Sequence, residues 1–150
     1  MSVTSTALLP GRATRAATQE YARSFGRACG EGHYSDFLNL HLKLSSLGVG
    51  TFGGAATDAV DAAYADVVAR ALASGINVID TATHYRYGRS ARAVGAGLKT
   101  ALASGVKREQ VFLVSKGGFL LFEEGPPHNP AAWFEREIVA RGLGRREDLV

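Results

Sequence analysis

Asp80, Tyr85 and Lys116 place a carboxylate, a phenol and an amine at or near the ends of short apolar segments. A phenol ordinarily has a pKa of about 10, so at neutral pH it donates a proton poorly unless a nearby cation stabilises its ionised form. Lys116 can supply that cation. Asp80 can keep the amine charged, because an unpaired lysine at the end of a buried strand tends to lose its proton. These residue types predict a proton-donating site centred on Tyr85.

The segments that must position these side chains alternate between strand and helix. Thr57 can cap a helix that continues to Gly75, and a second helix runs from about Ser90 to Gly105. Apolar runs bounded by glycine or polar residues indicate the strands. The strands are expected at residues 44–52, 76–82 and 111–116. Such alternation with short connections is typical of a parallel sheet covered by helices.

The carboxyl ends of these strands should bring the candidate residues to one face of the sheet. Thr51 lies at the end of the first strand, Asp80 near the end of the second and Lys116 at the end of the third. Ligands bind at this face in parallel α/β proteins. Tyr85 follows Asp80 by five residues, in the loop before the second helix. We therefore expect the carboxylate, the phenol and the amine to converge, with the amine close to both other groups.

Two glycines lie inside the second predicted helix. Each glycine in a helix interior costs up to about 1 kcal/mol relative to alanine. Gly95 and Gly97 therefore either pack closely against a neighbouring element or weaken the helix. Their spacing and their position inside a helix do not match the GxGxxG motif of dinucleotide-binding turns.

Residues 1–40 differ from the rest of the chain because they contain no strand-like apolar run. Thr18 could cap a short helix there, with Tyr21, Phe25 and Ala28 on one face. We expect this helix to have a structural use, lying against the sheet and its helices.

The pattern also changes after Gly117. A long loop with several prolines follows, since proline excludes regular structure there, and a helix-like stretch covers residues 131–140. Trp133 and Phe134 are expected to anchor this stretch, and a role in lining the substrate site is the alternative. Residues 147–150 resemble the start of another strand.

Composition narrows the class of protein. The chain has 150 residues, a formal net charge of +3 and 46% hydrophobic residues, which is typical of one globular domain. Arginine and acidic residues are interspersed, so no basic stripe for nucleic acid is expected. Cys29 is the one cysteine, and His84 has no second His or Cys placed to make a metal site. No apolar run is long enough for a membrane span. We expect a soluble cytoplasmic protein.

Three stretches taken together resemble the aldo-keto reductases. They are residues 47–52 (LGVGTF), 75–98 (GINVIDTATHYRYGRSARAVGAGL) and 111–116 (VFLVSK). The family pattern begins with a strand ending in Gly-Thr-aromatic. It continues with Asp-Thr-Ala, a Tyr five residues after the Asp, a Ser at the second helix, and a Ser/Thr-Lys pair closing the third strand. The resemblance covers roughly residues 42–118, and the three motifs are specific because they occur together at these spacings.

The resemblance implies a (β/α)8 barrel and the reversible reduction of an aldehyde or ketone, with NADP(H) or possibly NAD(H) as cofactor. By this resemblance Tyr85 is the general acid that protonates a small-molecule carbonyl substrate, and Lys116 and Asp80 are the pair that tunes it. The positions that match those bordering the cofactor are Gly50, Thr51, Phe52 and Asp80.

The chain departs from the family pattern near the proposed acid. Tyr87-Gly88 imitates the family's Tyr-Gly, but the spacing from Asp80 favours Tyr85 as the acid. Arg86 stands where Gly commonly follows the Tyr, and Ala91 stands where Glu usually follows the Ser. These departures concern the substrate side of the site and the cap of the second helix.

The resemblance divides the chain into two parts. Residues 1–40 form a partly helical extension, and residues 41–150 form the N-terminal part of a barrel with about three to four βα units. The family's fourth catalytic residue, a His, and the loops that grip the cofactor's phosphates are expected beyond Val150. The full-length form is therefore expected to reduce a carbonyl with NADPH, whereas the 150-residue chain carries only the N-terminal part of the site and is expected to show no measurable NADPH oxidation by itself. The alternative is a catalytically silent fragment or a half-barrel that acts only by association. A doubly wound binding module is a further alternative fold.

Overall fold

A computed structural model describes residues 9–123 and 125–148 of the chain. The helices are α1 (Arg15–Cys29), α2 (Asp58–Ala73), α3 (Arg89–Ala103) and α4 (Pro130–Phe134), and the strands are β1 (Tyr34–Phe37), β2 (Leu42–Ser45), β3 (Gly48–Gly50), β4 (Val78–Asp80) and β5 (Phe112–Val114). A π-helical turn, Glu135–Val139, continues α4. Short 3-10 turns occur at Leu38–Leu40, Arg108–Gln110 and Arg146–Asp148.

Strands β3, β4 and β5 form a parallel sheet with β4 in the middle. Gly50 is opposite Asp80, and Asp80 is opposite Val114, so the carboxyl ends of the strands are aligned. The predicted βαβαβ order and parallel pairing are confirmed for these strands. The alignment brings the residues that follow each strand to one edge of the sheet.

Helices α2 and α3 cover the sheet and supply most of the core. The buried cluster contains Val68 and Leu72 from α2, Val94, Leu98 and Ala101 from α3, and Ile79 and Val111 from the sheet region. Thr57 caps α2 as predicted, because its hydroxyl accepts the amide hydrogen of Val60. The helical spacing of Val60, Tyr64 and Val67 predicts that all three lie on the apolar face of this helix, but Val67 is exposed. The buried face of α2 is therefore narrower than the sequence indicated.

Gly97 allows α3 to lie close against α2. A Cβ atom at this position would lie 2.5 Å from the carbonyl oxygen of Ala65 and 2.8 Å from the Cβ of Val68. At Gly95 the same atom would meet nothing within 4 Å. Close packing thus explains the first glycine, and the structure gives no packing reason for the second.

An antiparallel hairpin of β1 and β2 precedes the parallel sheet. The expectation that residues 1–40 hold no strand was therefore wrong, and the single strand expected at 44–52 is two short strands, β2 and β3. The buried Asn77 fastens the hairpin to the sheet: its Oδ1 accepts the amide hydrogen of Ser45 at 2.9 Å, and its Nδ2 donates to the carbonyl of Gln110 at 3.2 Å. Because Asn77 precedes β4 and Gln110 precedes β5, the hairpin lies at the amino ends of these two strands.

Helix α1 packs against the hairpin and against α2. Its N-cap is Thr14, whose hydroxyl accepts the amide hydrogen of Ala17, so the assignment of Thr18 as the cap was wrong. Thr18 lies inside the helix, fully buried, and its hydroxyl accepts the amide hydrogen of Lys43 in β2. The Tyr21 hydroxyl donates to the carbonyl of Leu72 at 2.5 Å. The extension is therefore tied into the core.

The last described part of the chain is helical. The predicted helix at residues 131–140 corresponds to α4 and the π-helical turn, and the Trp133 ring packs edge-on against Phe122 at 4.9 Å between centroids. The strand expected from residue 147 was wrong for Glu147 and Asp148, which lie in a 3-10 turn. Residues 149–150 lie outside the described part. Within that part, none of the helices combines the length and apolar character needed to cross a membrane.

We predict opposite effects for alanine at the two glycines of α3. Gly97→Ala should lower the free energy of unfolding by about 1–3 kcal/mol, because its methyl group overlaps α2. Gly95→Ala, the matched control, should raise it by about 0.5–1 kcal/mol, because alanine restricts the unfolded chain and meets open space. Urea unfolding of the 150-residue chain measures both. Changes of the same sign for the two variants would contradict the packing found here.

Candidate active site

An ion pair joins the ends of β4 and β5. The Nζ of Lys116 lies 2.6 Å from Oδ1 of Asp80 and also donates to the carbonyl of Thr81 at 2.8 Å. Both charged side chains are 42% exposed. The expected contact between the amine and the carboxylate is present, at the carboxyl edge of the parallel sheet.

The backbone beyond β4 and β5 fixes the position of Lys116. The amide of Thr81 donates to the carbonyl of Val114 at 2.9 Å, and the amide of Thr83 donates to the carbonyl of Lys116 at 3.2 Å. The Thr83 hydroxyl donates to the same carbonyl. Parallel pairing therefore extends past the strands, and it holds the backbone of Lys116 in place.

The surroundings of Lys116 favour its charged form. The hydrogen bond to Asp80 is the largest cause of a raised pKa for this amine, and Tyr85 also raises it, whereas partial desolvation lowers it. The net direction is upward, so the amine is protonated at neutral pH.

The Tyr85 ring faces this amine. The Lys116 Nζ lies 4.9 Å from the ring centroid, so the three predicted groups converge. The Phe52 ring stands edge-on to Tyr85 at 5.0 Å, and the His84 ring does the same at 5.0 Å. His84 in turn contacts Phe119 at 4.8 Å. The Tyr85 ring thus contacts one cation and two further rings.

Tyr87, the competing tyrosine, lies outside this cluster. Its side chain is 42% exposed. In the described part of the chain, its hydrogen bonds are made by its backbone, which donates to the carbonyl of His84 and accepts from Arg92. The lysine therefore approaches the Tyr85 ring, and the role of Tyr85 as the acid stays a prediction.

The residues expected to border a cofactor differ in their accessibility. Gly50 is exposed, and a Cβ built on it would meet nothing within 4 Å. The Phe52 ring is 72% exposed. Thr51 is fully buried; its hydroxyl donates to the carbonyl of Asp80 at 3.1 Å, and its oxygen lies 2.9 Å from the hydroxyl of Thr81. The Thr51 side chain therefore supports the backbone of Asp80, the Phe52 ring lies against Tyr85, and the space at the Cβ position of Gly50 is open.

Ser90 and Arg86 connect the loop after β4 to its neighbours. The buried Ser90 hydroxyl donates to the carbonyl of Thr51 at 2.6 Å, which ties the start of α3 to the end of β3. Arg86 has a φ of 50°, in the left-handed region that favours glycine. This backbone conformation gives a physical reason for the family's glycine at this position.

Sequence reasoning missed part of this support. Ser90 and Thr81 were quoted as motif letters without a role, and Arg86 was interpreted as a departure. Acidic residues in the first turn of a helix favour its dipole, as Asp58 and Asp61 do in α2, yet Asp61 also pairs with Arg86 and Arg89. The sequence does contain a signal for this contact. Arg86 follows Tyr85 at a position where the family pattern has glycine, and its guanidinium needs an acidic partner nearby.

Within residues 9–123 and 125–148, no three His, Cys, Asp or Glu side chains are grouped so that they could hold a metal ion.

Comparison with known proteins defines the class of protein. The sequence profile of the Aldo/keto reductase family matches residues 46–142, and the chain belongs to that family. The D-galacturonate reductase of Hypocrea jecorina is 44% identical to it over 79 residues, which are 53% of this chain and 23% of that protein. The matched segment thus spans less than a quarter of the curated relative. No solved structure matches the chain significantly.

We predict that Asp80→Asn lowers the pKa of the Lys116 amine, because the substitution removes the carboxylate that raises it. A raised pKa stabilises the fold fully below the ordinary lysine value of about 10.4, and this contribution is lost as the pH rises through the raised value. The contribution is small since the pair is partly exposed. An NMR titration of the lysine side chains over the alkaline range measures the shift. An unchanged Lys116 titration in the variant would contradict the assignment.

Proposed function

We propose that the chain carries the proton-donating part of an oxidoreductase that reduces an aldehyde or ketone with NAD(P)H. The observation that carries the proposal is the convergence of Asp80, Lys116 and Tyr85 at the carboxyl edge of the sheet, with the amine 2.6 Å from the carboxylate and 4.9 Å from the phenol ring centroid. Membership of the Aldo/keto reductase family supports the reaction class.

The three side chains have separate tasks in this proposal. Tyr85 donates a hydrogen bond to the carbonyl oxygen of the substrate and transfers its proton to that oxygen as the carbonyl carbon is reduced. The Lys116 ammonium stabilises the phenolate that remains. Asp80 keeps the ammonium charged and in place. Because Asp80 and Lys116 are partly exposed, water can return the proton to the phenol between turnovers.

A Cβ atom on Gly50 would meet nothing within 4 Å, and the exposed Phe52 ring stands edge-on to Tyr85. These residues would hold the nicotinamide end of NAD(P)H, which supplies the hydride when bound. Phe52 offers an apolar ring face, and Gly50 offers a backbone without a side chain. We use NADPH as the first probe, because the family resemblance favours it.

We further propose that the parallel sheet of β3, β4 and β5, with helices α2 and α3, belongs to a (β/α)8 barrel. In the described part of the chain, the outer edges of β3 and β5 have no paired strand. Further strands on both edges would continue the sheet towards closure, and closure removes unpaired edges. The carboxyl edge that carries Tyr85 is the face where barrels of this kind bind their ligands.

We predict that Tyr85→Phe lowers kcat for carbonyl reduction by about 10² to 10⁴-fold, since it removes the acid and keeps the ring. The protein expressed from its native reading frame is assayed by carbonyl-dependent oxidation of NADPH, with a panel of aldehydes and ketones. Tyr87→Phe is the matched control and should leave kcat unchanged. A protein that reduces carbonyls equally well with Phe at position 85 would overturn the proposal.

A further inference from the structure

Arg86 follows the proposed acid, Tyr85, and its side chain is buried. The roles described above give no reason for this burial. The Arg86 side chain is 2% exposed although it carries a permanent charge. Its backbone adopts a left-handed φ of 50°, and Tyr87 follows with a φ of 59°. A non-glycine residue in this region is held there only when its surroundings determine it. The contacts of its guanidinium are therefore the feature to explain.

The Arg86 guanidinium fastens the loop after β4 to the start of α2. Its Nε and Nη2 donate to the carbonyl of Ala55 at 3.0 and 2.7 Å, and Nη2 also donates to the carbonyl of Thr57 at 3.3 Å. The same Nη2 lies 2.6 Å from Oδ1 of Asp61. The guanidinium carbon lies 5.2 Å from the ring centroid of Tyr64. Carbonyls, a carboxylate and a ring from the start of α2 thus hold the Nε and Nη2 side of the guanidinium, while Nη1 is buried without a hydrogen-bond partner among the described residues.

The acceptors are themselves fixed. Thr57 is the N-cap of α2, and Asp61 is in the first turn of that helix. Arg89, at the start of α3, pairs with both Asp58 and Asp61. Partial burial pushes the pKa of Asp61 upward, but the hydrogen bonds and charges of Arg89 and Arg86 outweigh it and the pKa is lowered. The carboxylate is therefore charged at neutral pH and available to both arginines.

We infer that Arg86 is a positioning residue for Tyr85, the buried guanidinium holding the loop so that the phenol ring faces Lys116. The Arg86 side chain contacts Ala55, Thr57, Asp61 and Tyr64, so it acts on Tyr85 through the backbone that the two residues share. The inference rests on the proposed function for its catalytic consequence. Its geometric consequence, the contact between Tyr85 and Lys116, can be measured without turnover.

The geometric test uses the NMR signals of the tyrosine rings in the 150-residue chain. The Tyr85 signal is identified as the one that is lost in Tyr85→Phe. In otherwise unchanged protein, Lys116→Met should shift the Tyr85 signal. In the Arg86→Gln background, most of that shift should be lost. Arg70→Gln is the matched control, because Arg70 is an exposed arginine of α2 that pairs with Asp66, and it should keep the full shift.

A glycine variant separates the side chain from the backbone. Glycine adopts a positive φ without cost, so Arg86→Gly keeps the loop conformation available but removes the guanidinium. The inference predicts that it loses the Lys116-dependent shift of Tyr85, as Arg86→Gln does. Retention of the full shift in Arg86→Gly would overturn the inference.

Folding is checked in the same spectra. Tyr21 and Tyr34, which lie in α1 and β1, report the fold away from the site. If their signals show that Arg86→Gln has unfolded, Arg86→Lys is measured in its place. A lysine ammonium lacks the planar fork that reaches two carbonyls and a carboxylate together, so a reduced shift is expected. An undiminished shift would overturn the inference.

The kinetic test uses the protein expressed from its native reading frame. Arg86→Gln and Arg86→Gly should each lower kcat for carbonyl reduction about tenfold or more, with the KM for NADPH unchanged, because the acid and not the cofactor is displaced. If Tyr85→Phe leaves the rate unchanged, the proposed function fails while the NMR result still decides the positioning. If Tyr85→Phe abolishes the rate but both Arg86 variants keep it, the positioning role fails alone.

Discussion

The ion pair between Lys116 and Asp80 is the interaction on which the rest of the site depends. A charged amine at a strand end needs a partner, and the partner must be on a neighbouring strand in the correct register. Parallel pairing supplies that register, since Asp80 is opposite Val114 and the pairing continues to the carbonyl of Lys116. The packing of α2 against α3 holds the sheet that carries both residues. The cation can then face a phenol from the adjoining loop.

Buried polar groups at the carboxyl ends of the strands support this ion pair. The Thr51 hydroxyl donates to the carbonyl of Asp80 and lies next to the hydroxyl of Thr81. The Ser90 hydroxyl donates to the carbonyl of Thr51. Such groups are costly to bury without partners, so their satisfied state favours one arrangement of the loops. At the opposite edge, Asn77 has a comparable role and joins the hairpin to the amino ends of the strands.

The strand and helix order, the cap at Thr57 and the convergence of the three site residues could be predicted, because apolar periodicity and motif spacing are local properties of the sequence. The hairpin could not, since YSDF in β1 is mostly exposed and becomes a strand only by pairing with β2. Both glycines of α3 look alike in the sequence, and only the approach of Ala65 distinguishes Gly97. The burial of Arg86 likewise depends on acceptors far away in sequence, at Ala55 and Asp61. Tertiary contacts decided each of these cases.

The central claim is that the lysine acts through the phenol, so the most direct test measures the effect of Lys116→Met with and without the Tyr85 hydroxyl. In protein that retains Tyr85, loss of the ammonium should lower kcat/KM strongly. In the Tyr85→Phe background the same substitution should change kcat/KM little, because residues that act as a unit give non-additive losses. Losses that multiply, with Lys116→Met equally harmful in both backgrounds, would contradict the account.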